Sequence, residues 1–282
     1  MKKTAIAILI AVLVVAIGGG LCFVGLSAVN FKFEKLDRTE YVTNTYDFGD
    51  PVQEIDLEGH TVDVELLPSE GGNCRVVCFE NDRERYAVSL ESGRLVIRPK
   101  DSKKGWSFLL FSFKSPRISV YLPAGEYALL KASLNTGDIT VDKALSFVNL
   151  EVELHTGDLT LSGVQAQRVS AHAGTGDIRL SNMAPEAVEL SVRTGKIVLN
   201  NVVCSGDLTC ESTTGDIRLT DVDGANLHLK ASTGDITGTI RTSKTFEASA
   251  STGKVDVPNT TADGRCEAHT STGDIRLSIS GE

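Results

Sequence analysis

The sequence predicts an all-β protein: a single-stranded parallel β-solenoid with coils of about 19–20 residues, preceded by one N-terminal transmembrane helix. Three observations predict it. A Thr-Gly corner recurs at a nearly constant interval, apolar and polar residues alternate with period two on both sides of each corner, and an uncharged apolar run opens the chain. The 282 residues are 41% hydrophobic, enough to bury a core, and the net charge of -9 comes without any cluster of Lys and Arg. That balance excludes intrinsic disorder and a nucleic-acid surface, which needs grouped cations to displace counterions.

Residues 1–4 are a short basic N-terminus carrying Lys2 and Lys3, and residues 5–29, Ala5 to Val29, contain no charge. A helix needs roughly 20 apolar residues to cross the hydrocarbon core, so this run is long enough to anchor the chain. The alternative is a cleaved signal peptide with Ala5 to Ile17 as its apolar region and Gly25 and Ser27 near the cleavage site. The run stays apolar past its glycines, which favours the uncleaved anchor. Lys32, Lys35 and Arg38 balance the two N-terminal lysines, so charge alone does not orient the span. A short basic N-terminus before a long polar domain is the layout of a signal anchor. The expected location is the cell membrane, single-pass through residues 5–29, with the C-terminal domain extracytoplasmic and residues 30–44 as a linker.

Residues 45–134 contain "VQEIDLEGHTVDVELLP", "CRVVCFE", "YAVSLESGRLVIRP" and "RISVYLP", which read as strands without the Thr-Gly-Asp corner. They are expected to form irregular N-terminal coils and the cap that protects the first open edge. Within them, "GWSFLLFSFKSP", Gly105 to Pro116, holds Trp106, Phe108 and Phe111. It is read as packing into the cap, with a partner or membrane contact as the alternative.

Residues 135–282 carry the regular repeat. Its glycines are Gly137, Gly157, Gly176, Gly195, Gly215, Gly234, Gly253 and Gly273, each preceded by Thr and followed two places later by Ile, Leu or Val. Five and seven places before each glycine the residues are again apolar or small, including Cys210 and Cys266. Each unit is therefore a strand, a corner and a second strand, each with one buried face. A hairpin turn of type I′ would force positive φ on a β-branched Thr, whereas Thr-Gly suits the two central positions of a type II turn. Stacked coils are thus expected in place of a hairpin meander, with the last copy, "STGDIRLSIS", at the exposed end of the rod.

The residues after the glycines are Asp138, Asp158, Asp177, Lys196, Asp216, Asp235, Lys254 and Asp274. A stacked column of carboxylates raises calcium binding as a possibility, but two lysines interrupt it and Arg179, Arg218 and Arg276 point the same way along the strand. The reading is that each Asp caps its corner and the cations relieve repulsion. No catalytic, cofactor-binding or metal-binding residue is assigned, and no cofactor is expected. Cys22 lies in the apolar run, and Cys74 and Cys78 are about 13 Å apart along one strand, too far for a disulfide. His60, His155, His172, His228 and His269 are scattered.

An apolar N-terminal run, "SGRLVIRP", a Gly-Trp aromatic stretch, "ISVYLPAGEYALLKASLNTGDI" and serial T-G-D-I units, in that order, resemble the bacterial putative-adhesin family of unknown function. They are similar to the head domain of putative autotransporter adhesins. The resemblance covers about residues 45–282 and implies a β-solenoid, a cell-envelope location and no established catalytic residues or ligand. Lys196 and Lys254 depart from its pattern. The functional expectation is a non-catalytic cell-envelope interaction module, adhesin-like or an envelope-stress accessory, with an envelope protein or glycan as partner. No nucleic acid or small-molecule substrate is expected. The alternative is a carbohydrate-active β-helix lyase or hydrolase, which would need one irregular coil with paired carboxylates.

Overall fold

The computed structural model describes residues 40–100 and 115–280, together with the single positions Val14, Val15, Gly18, Gly20 and Phe23. The expected anchor at residues 5–29 lies outside the described residues apart from those five, which are helical, and the Trp106 stretch lies outside them too. No helix among the described residues is long and apolar enough to cross a membrane. The chain divides into two units, residues 1–40 with 103–115 and residues 41–102 with 116–282. Every described strand belongs to the second unit.

The N-terminal part of that unit contains β1 (Tyr41–Phe48), β2 (Glu54–Thr61), β3 (Asp63–Pro68), β4 (Cys74–Asn81), β5 (Tyr86–Glu91), β6 (Arg94–Pro99) and β7 (Arg117–Leu122). Strand pairs come next along the chain: β8 (Glu126–Thr136) and β9 (Ile139–Val141), β10 (Ser146–Thr156) and β11 (Leu159–Ser162), β12 (Gln165–Thr175) and β13 (Ile178–Met183). They continue with β14 (Ala187–Thr194) and β15 (Ile197–Val202), β16 (Leu208–Thr214) and β17 (Ile217–Val222), β18 (Leu227–Thr233) and β19 (Ile236–Ile240). The last are β20 (Thr245–Thr252) and β21 (Val255–Asp256), then β22 (Arg265–Thr272) and β23 (Ile275–Ile279).

Each pair is one coil, bent at its Thr-Gly corner so that its first strand joins an 11-stranded sheet and its second a 12-stranded sheet. Coils pair in parallel and in register, Thr136 on Thr156 on Thr175 and Ile139 on Leu159 on Ile178. The period-two pattern explains the packing. Leu150, Val152 and Leu154 of β10 face Leu159 and Leu161 of β11 across the core, all nearly inaccessible, while Glu151 and Glu153 between them are exposed.

The order of the coils departs from the order of the sequence at both ends. The sheets end in β19-β23-β21 and β18-β22-β20, so the last coil of the sequence is inserted between the two before it. The expectation that "STGDIRLSIS" ends the rod is therefore corrected: the terminal coil is β20–β21, which carries "STGKVDV". At the other end, β8–β9 stacks on β2–β3 and not on the neighbouring β6 and β7, which lie one step further out. Thr61 pairs with Thr136 and Val64 with Ile139, so Thr61-Val62-Asp63-Val64 is a further corner of the same ladder with Val in place of Gly. Strands β1, β4 and β5 run antiparallel and close this end, and β1 begins inside the stretch expected as linker.

A buried ion pair holds the C-terminal crossover. After β19 the chain must skip a rung, and Lys244 in that connection is 5% exposed, its Nζ 2.9 Å from Asp223 Oδ1. Thr242 Oγ1 and the Gly224 N–H donate to the same carboxylate oxygen at 3.0 and 2.9 Å. Two buried charges are tolerated because both are paired and hydrogen-bonded.

Candidate functional site

The corners are the feature most repeated in the sequence, and their chemistry is structural. The eight corner glycines have φ between +134° and +149°, well beyond the roughly +80° of a type II turn. The corner is an open bend through which the ladder continues: the Gly157 N–H donates to Thr175 O at 2.8 Å and the Leu159 N–H to Asp177 O at 3.0 Å. A Cβ on any of these glycines would lie 1.8–2.1 Å from a carbonyl oxygen of the preceding coil. Glycine is thus required for its φ and for the close approach together. Val62 escapes the requirement as the first residue of the column: its own carbonyl is the one that crowds Gly137.

The aspartates do not cap their own turns. Each offers Oδ1 to the backbone N–H at the same place in the next coil: Asp138 to Asp158, Asp158 to Asp177 and Asp177 to Lys196, all at 2.8 Å. Asp63 starts the series by accepting from the Asp138 N–H at 3.1 Å. Later members run Asp216 to Asp235 at 3.2 Å, Asp235 to Asp274 at 2.8 Å and Asp274 to Lys254 at 2.8 Å. The ladder follows the spatial order of the coils, and it explains one lysine. Lys254 occupies the terminal coil, where no further N–H awaits a carboxylate. Lys196 lies mid-stack and gives the Asp216 N–H no such acceptor.

Four of the second carboxylate oxygens are also engaged. Arg179 bonds Asp158 Oδ2 at 2.8 Å and Asp177 Oδ2 at 2.5 Å, Arg218 bonds Asp216 Oδ2 at 3.0 Å, and Arg276 pairs with Asp274. Burial pushes the Asp158 carboxyl up, but the Asp177 N–H and the Arg179 guanidinium outweigh it and hold the group below its ordinary value. A calcium ion in this column would have to displace backbone donors and arginines, and no group of three or more His, Cys, Asp or Glu among the described residues is placed to hold a metal.

The two outer faces of the rod differ in chemistry. On the 12-stranded sheet one register row reads Thr160, Arg179, Val198, Arg218, Thr237 and Arg276. The neighbouring row holds Ser162, Ser181, Asn200 and Thr220, with Thr239 beside Ser278 further on. The first row continues through Thr140 to Glu65 at one end and to Asp256 at the other, and exposed Asp221 lies at the register break of the second, so the stretch from Thr140 to Arg276 in the first row and from Ser162 to Thr220 in the second is free of carboxylates. Within it the arginines recur every second coil, about 9.6 Å apart. On the 11-stranded sheet the rows read Lys131, Glu151, Ser170, Glu189, Thr209, His228, Glu267, Glu247 and Ser133, Glu153, His172, Ser191, Glu211, Lys230, His269, Ser249. This acidic face has a shallow depression lined by Glu151, Glu153, His172 and Glu189.

The histidines do not converge. His60, His155 and His172 are exposed, His228 Nδ1 lies 3.1 Å from Glu267, and His269 Nδ1 lies 2.8 Å from Ser249 Oγ. Cys74, Cys78, Cys204, Cys210 and Cys266 are buried and unpaired by disulfides, and burial raises their thiols, Cys74 to about 11 and Cys78, Cys204 and Cys266 to about 12. Such thiols are poor nucleophiles at neutral pH. The buried Glu80 is a clamp on the cap: its oxygens accept from the Tyr86 N–H at 2.9 Å and from Asn44 Nδ2.

Asp63 escapes a search for Thr-Gly corners because Val62 hides the motif, and a second column lies at the far bend. There Gly163, Asn182, Asn201 and Asp221 have φ of +69°, +54°, +54° and +55°. Its signal in the sequence is Gly, Asn or Asp six residues past most corner glycines, residue types that tolerate the left-handed region.

These features define a class: a parallel two-sheet β-solenoid with structural corners and two chemically distinct flat faces. The chain belongs to the Toastrack DUF4097 family, whose profile matches residues 52–255 and 206–282. A "putative adhesin" from Bacteroides fragilis NCTC 9343 is 15% identical, with 85% of this chain and 97% of that one covered and a TM-score of 0.55. A "putative adhesin" and a "putative lipid binding protein", both from Parabacteroides distasonis ATCC 8503, are 13% and 17% identical. They cover 86% and 84% of this chain and 98% and 96% of their own, each with a TM-score of 0.46. No curated protein matches the sequence.

Proposed function

We infer that the protein is a non-catalytic interaction module of the cell envelope, held at the membrane by residues 5–29 with its β-solenoid outside the cytoplasm. It engages an envelope protein or glycan through the outer face of the 12-stranded sheet. The observation that carries this reading is the difference between the faces over the central coils: hydroxyl, amide and guanidinium groups on the 12-stranded sheet, and carboxylates interspersed with Lys, His and hydroxyl groups on the 11-stranded sheet. A row of hydroxyls with periodic arginines suits an extended, oxygen-rich partner through the guanidinium N–H groups that the pairs with Asp158, Asp177, Asp216 and Asp274 leave over, since guanidinium groups match carboxylate and phosphate geometry. Paired carboxylates set apart in one irregular coil would favour the carbohydrate-active alternative, but here the aspartates carry the same backbone bonds from coil to coil.

The test is photo-crosslinking in intact cells from Thr237 or Asn200 on the 12-stranded sheet and from Glu211 on the 11-stranded sheet. The expected result is a specific adduct from the first two positions and none from Glu211. Adducts from Glu211 alone, or release of sugar fragments from envelope polysaccharide by the purified chain, would overturn it.

A further inference from the structure

We propose that the β20 edge is a self-association surface, on which a second copy of this chain docks tail to tail about a two-fold axis. Every inner corner glycine donates its N–H to the next coil, as Gly234 does to Thr272 O and Gly273 to Thr252 O, both at 2.9 Å. Gly253 ends the series, and β20 and β21 are the last strands of their sheets. Among the described residues the core is open here as well. The residues of β20 that face inward, Phe246, Ala248 and Ala250, are only partly covered, whereas the matching Cys266, Ala268 and Thr270 one coil inside are buried. Val255 is 43% exposed, while its register partner Ile275 is fully buried.

The two edges at this end are treated differently. The 12-stranded edge is blunted, because β21 has two residues, follows Lys254 and runs into Pro258. The 11-stranded edge is not. "TFEASAST" is eight residues long, with neither Pro nor Lys nor a bulge, and Glu247 is its only charge. Natural sheets blunt an edge of this kind unless it is paired.

The occupant follows from the chemistry of the ladder. A coil stacked in parallel on β20–β21 would find no carboxylate at position 254 for its corner N–H, the acceptor that Lys196 also withholds inside the stack, and here the two-residue β21 and Pro258 leave its second strand almost nothing to pair with, which disfavours another coil of the same kind. An antiparallel copy of β20 has no such need. A two-fold axis near Ala248 sets Phe246 opposite the copy's Ala250 and Glu247 opposite the copy's Ser249. Inward residues then meet inward residues, no like charges face each other, and the open cores join. Such a contact is isologous and closes at two copies.

The experiment uses the full-length chain in mild detergent. Sedimentation is expected to give a concentration-dependent two-chain mass, and Ala248→Lys, an inward charge on the edge, is expected to weaken it at least about tenfold, or 1.4 kcal/mol. Because that variant could also unfold the terminal coil, Ala248→Cys in a Cys22→Ser background provides the second readout. Under mild oxidation it is expected to form a disulfide-linked dimer, while Ser89→Cys on the opposite end of the stack does not. A single-chain mass at every concentration with no crosslink overturns the proposal, leaving a segment of the same chain to cover the edge. So does a crosslink from Ser89→Cys equal to that from Ala248→Cys, which would mean that both ends associate.

Discussion

The regular ladder from β8 onward and the N-terminal region from β1 to β7 obey the same inward and outward alternation, yet they meet steric demands by different means. In the ladder, every coil approaches the previous one so closely at the corner that only hydrogen fits, and glycine recurs without exception. In the N-terminal region the stack has only begun, Val62 takes the corner, and antiparallel strands close the end. The lesson is that repetition in this sequence measures contact with a like neighbour. Where the neighbour differs, the motif lapses although the fold continues.

Placing a methyl group at the two corners gives the sharpest test. Gly195→Ala puts a Cβ 2.0 Å from Gly176 O at φ +144° and is expected to destabilise by more than about 4 kcal/mol or prevent folding. Val62→Ala, which removes two buried methyls, should cost only about 1–3 kcal/mol. Chemical denaturation followed by circular dichroism compares them. Equal losses at the two positions would erase the distinction between regions.

Next in size is the crossover. Lys244→Met leaves the Asp223 carboxylate buried without its cation, and a loss of about 3–5 kcal/mol is expected in the same assay. A neutral outcome would mean that the rung-skipping order does not depend on this pair.

The carboxylate ladder gives smaller and opposite effects. Asp177→Ala strands the Lys196 N–H and releases one arm of Arg179, for about 1.5–3 kcal/mol. Lys196→Asn supplies the acceptor that the Asp216 N–H lacks and should stabilise by up to about 1 kcal/mol. Lys254→Asn, at the end of the stack, should gain nothing. A gain at 254 equal to that at 196 would contradict the coil order.

The least effect is expected from titration, with different signs in acid and alkali. Asp158 has a folded value below its ordinary 3.8, so its contribution is present above that value and lost as pH falls through the lower one. The thiols of Cys204 and Cys266 are raised from 9.0 to about 12, so burying them neutral stabilises the fold below pH 9 and that contribution fades as pH rises towards 12. Melting temperature against pH reads both, and in the native state at pH 8 these thiols should not react with an aromatic disulfide reagent. Rapid native labelling would refute their burial.

Much of the fold was legible from the alignment of the repeats. The Thr, Gly and Ile columns were readable because each coil sets identical residues on one another, and Cys210 and Cys266 fell in the inward columns for the same reason. The corner type was misread because type II and the open bend both ask for glycine after Thr, and only the φ of the folded chain separates them. The role of Asp was misplaced by one coil, since a carboxylate that caps its own turn and one that caps its neighbour leave the same letter in the sequence. Lys254 was a usable signal for the end of the stack, but it resembles Lys196, which is not at an end.

By itself, then, the sequence determined the strands, their buried faces and the register in which coils pair, because period-two alternation and steric need at a corner are local and leave their mark residue by residue. The tertiary structure alone decided the order of the coils. All coils offer nearly the same columns, so sequential stacking and a stack with the last coil inserted satisfy the same local rules. The choice lies in long-range terms: the Asp235–Asp274–Lys254 run of backbone bonds, the buried Lys244–Asp223 pair and the antiparallel closure at the other end.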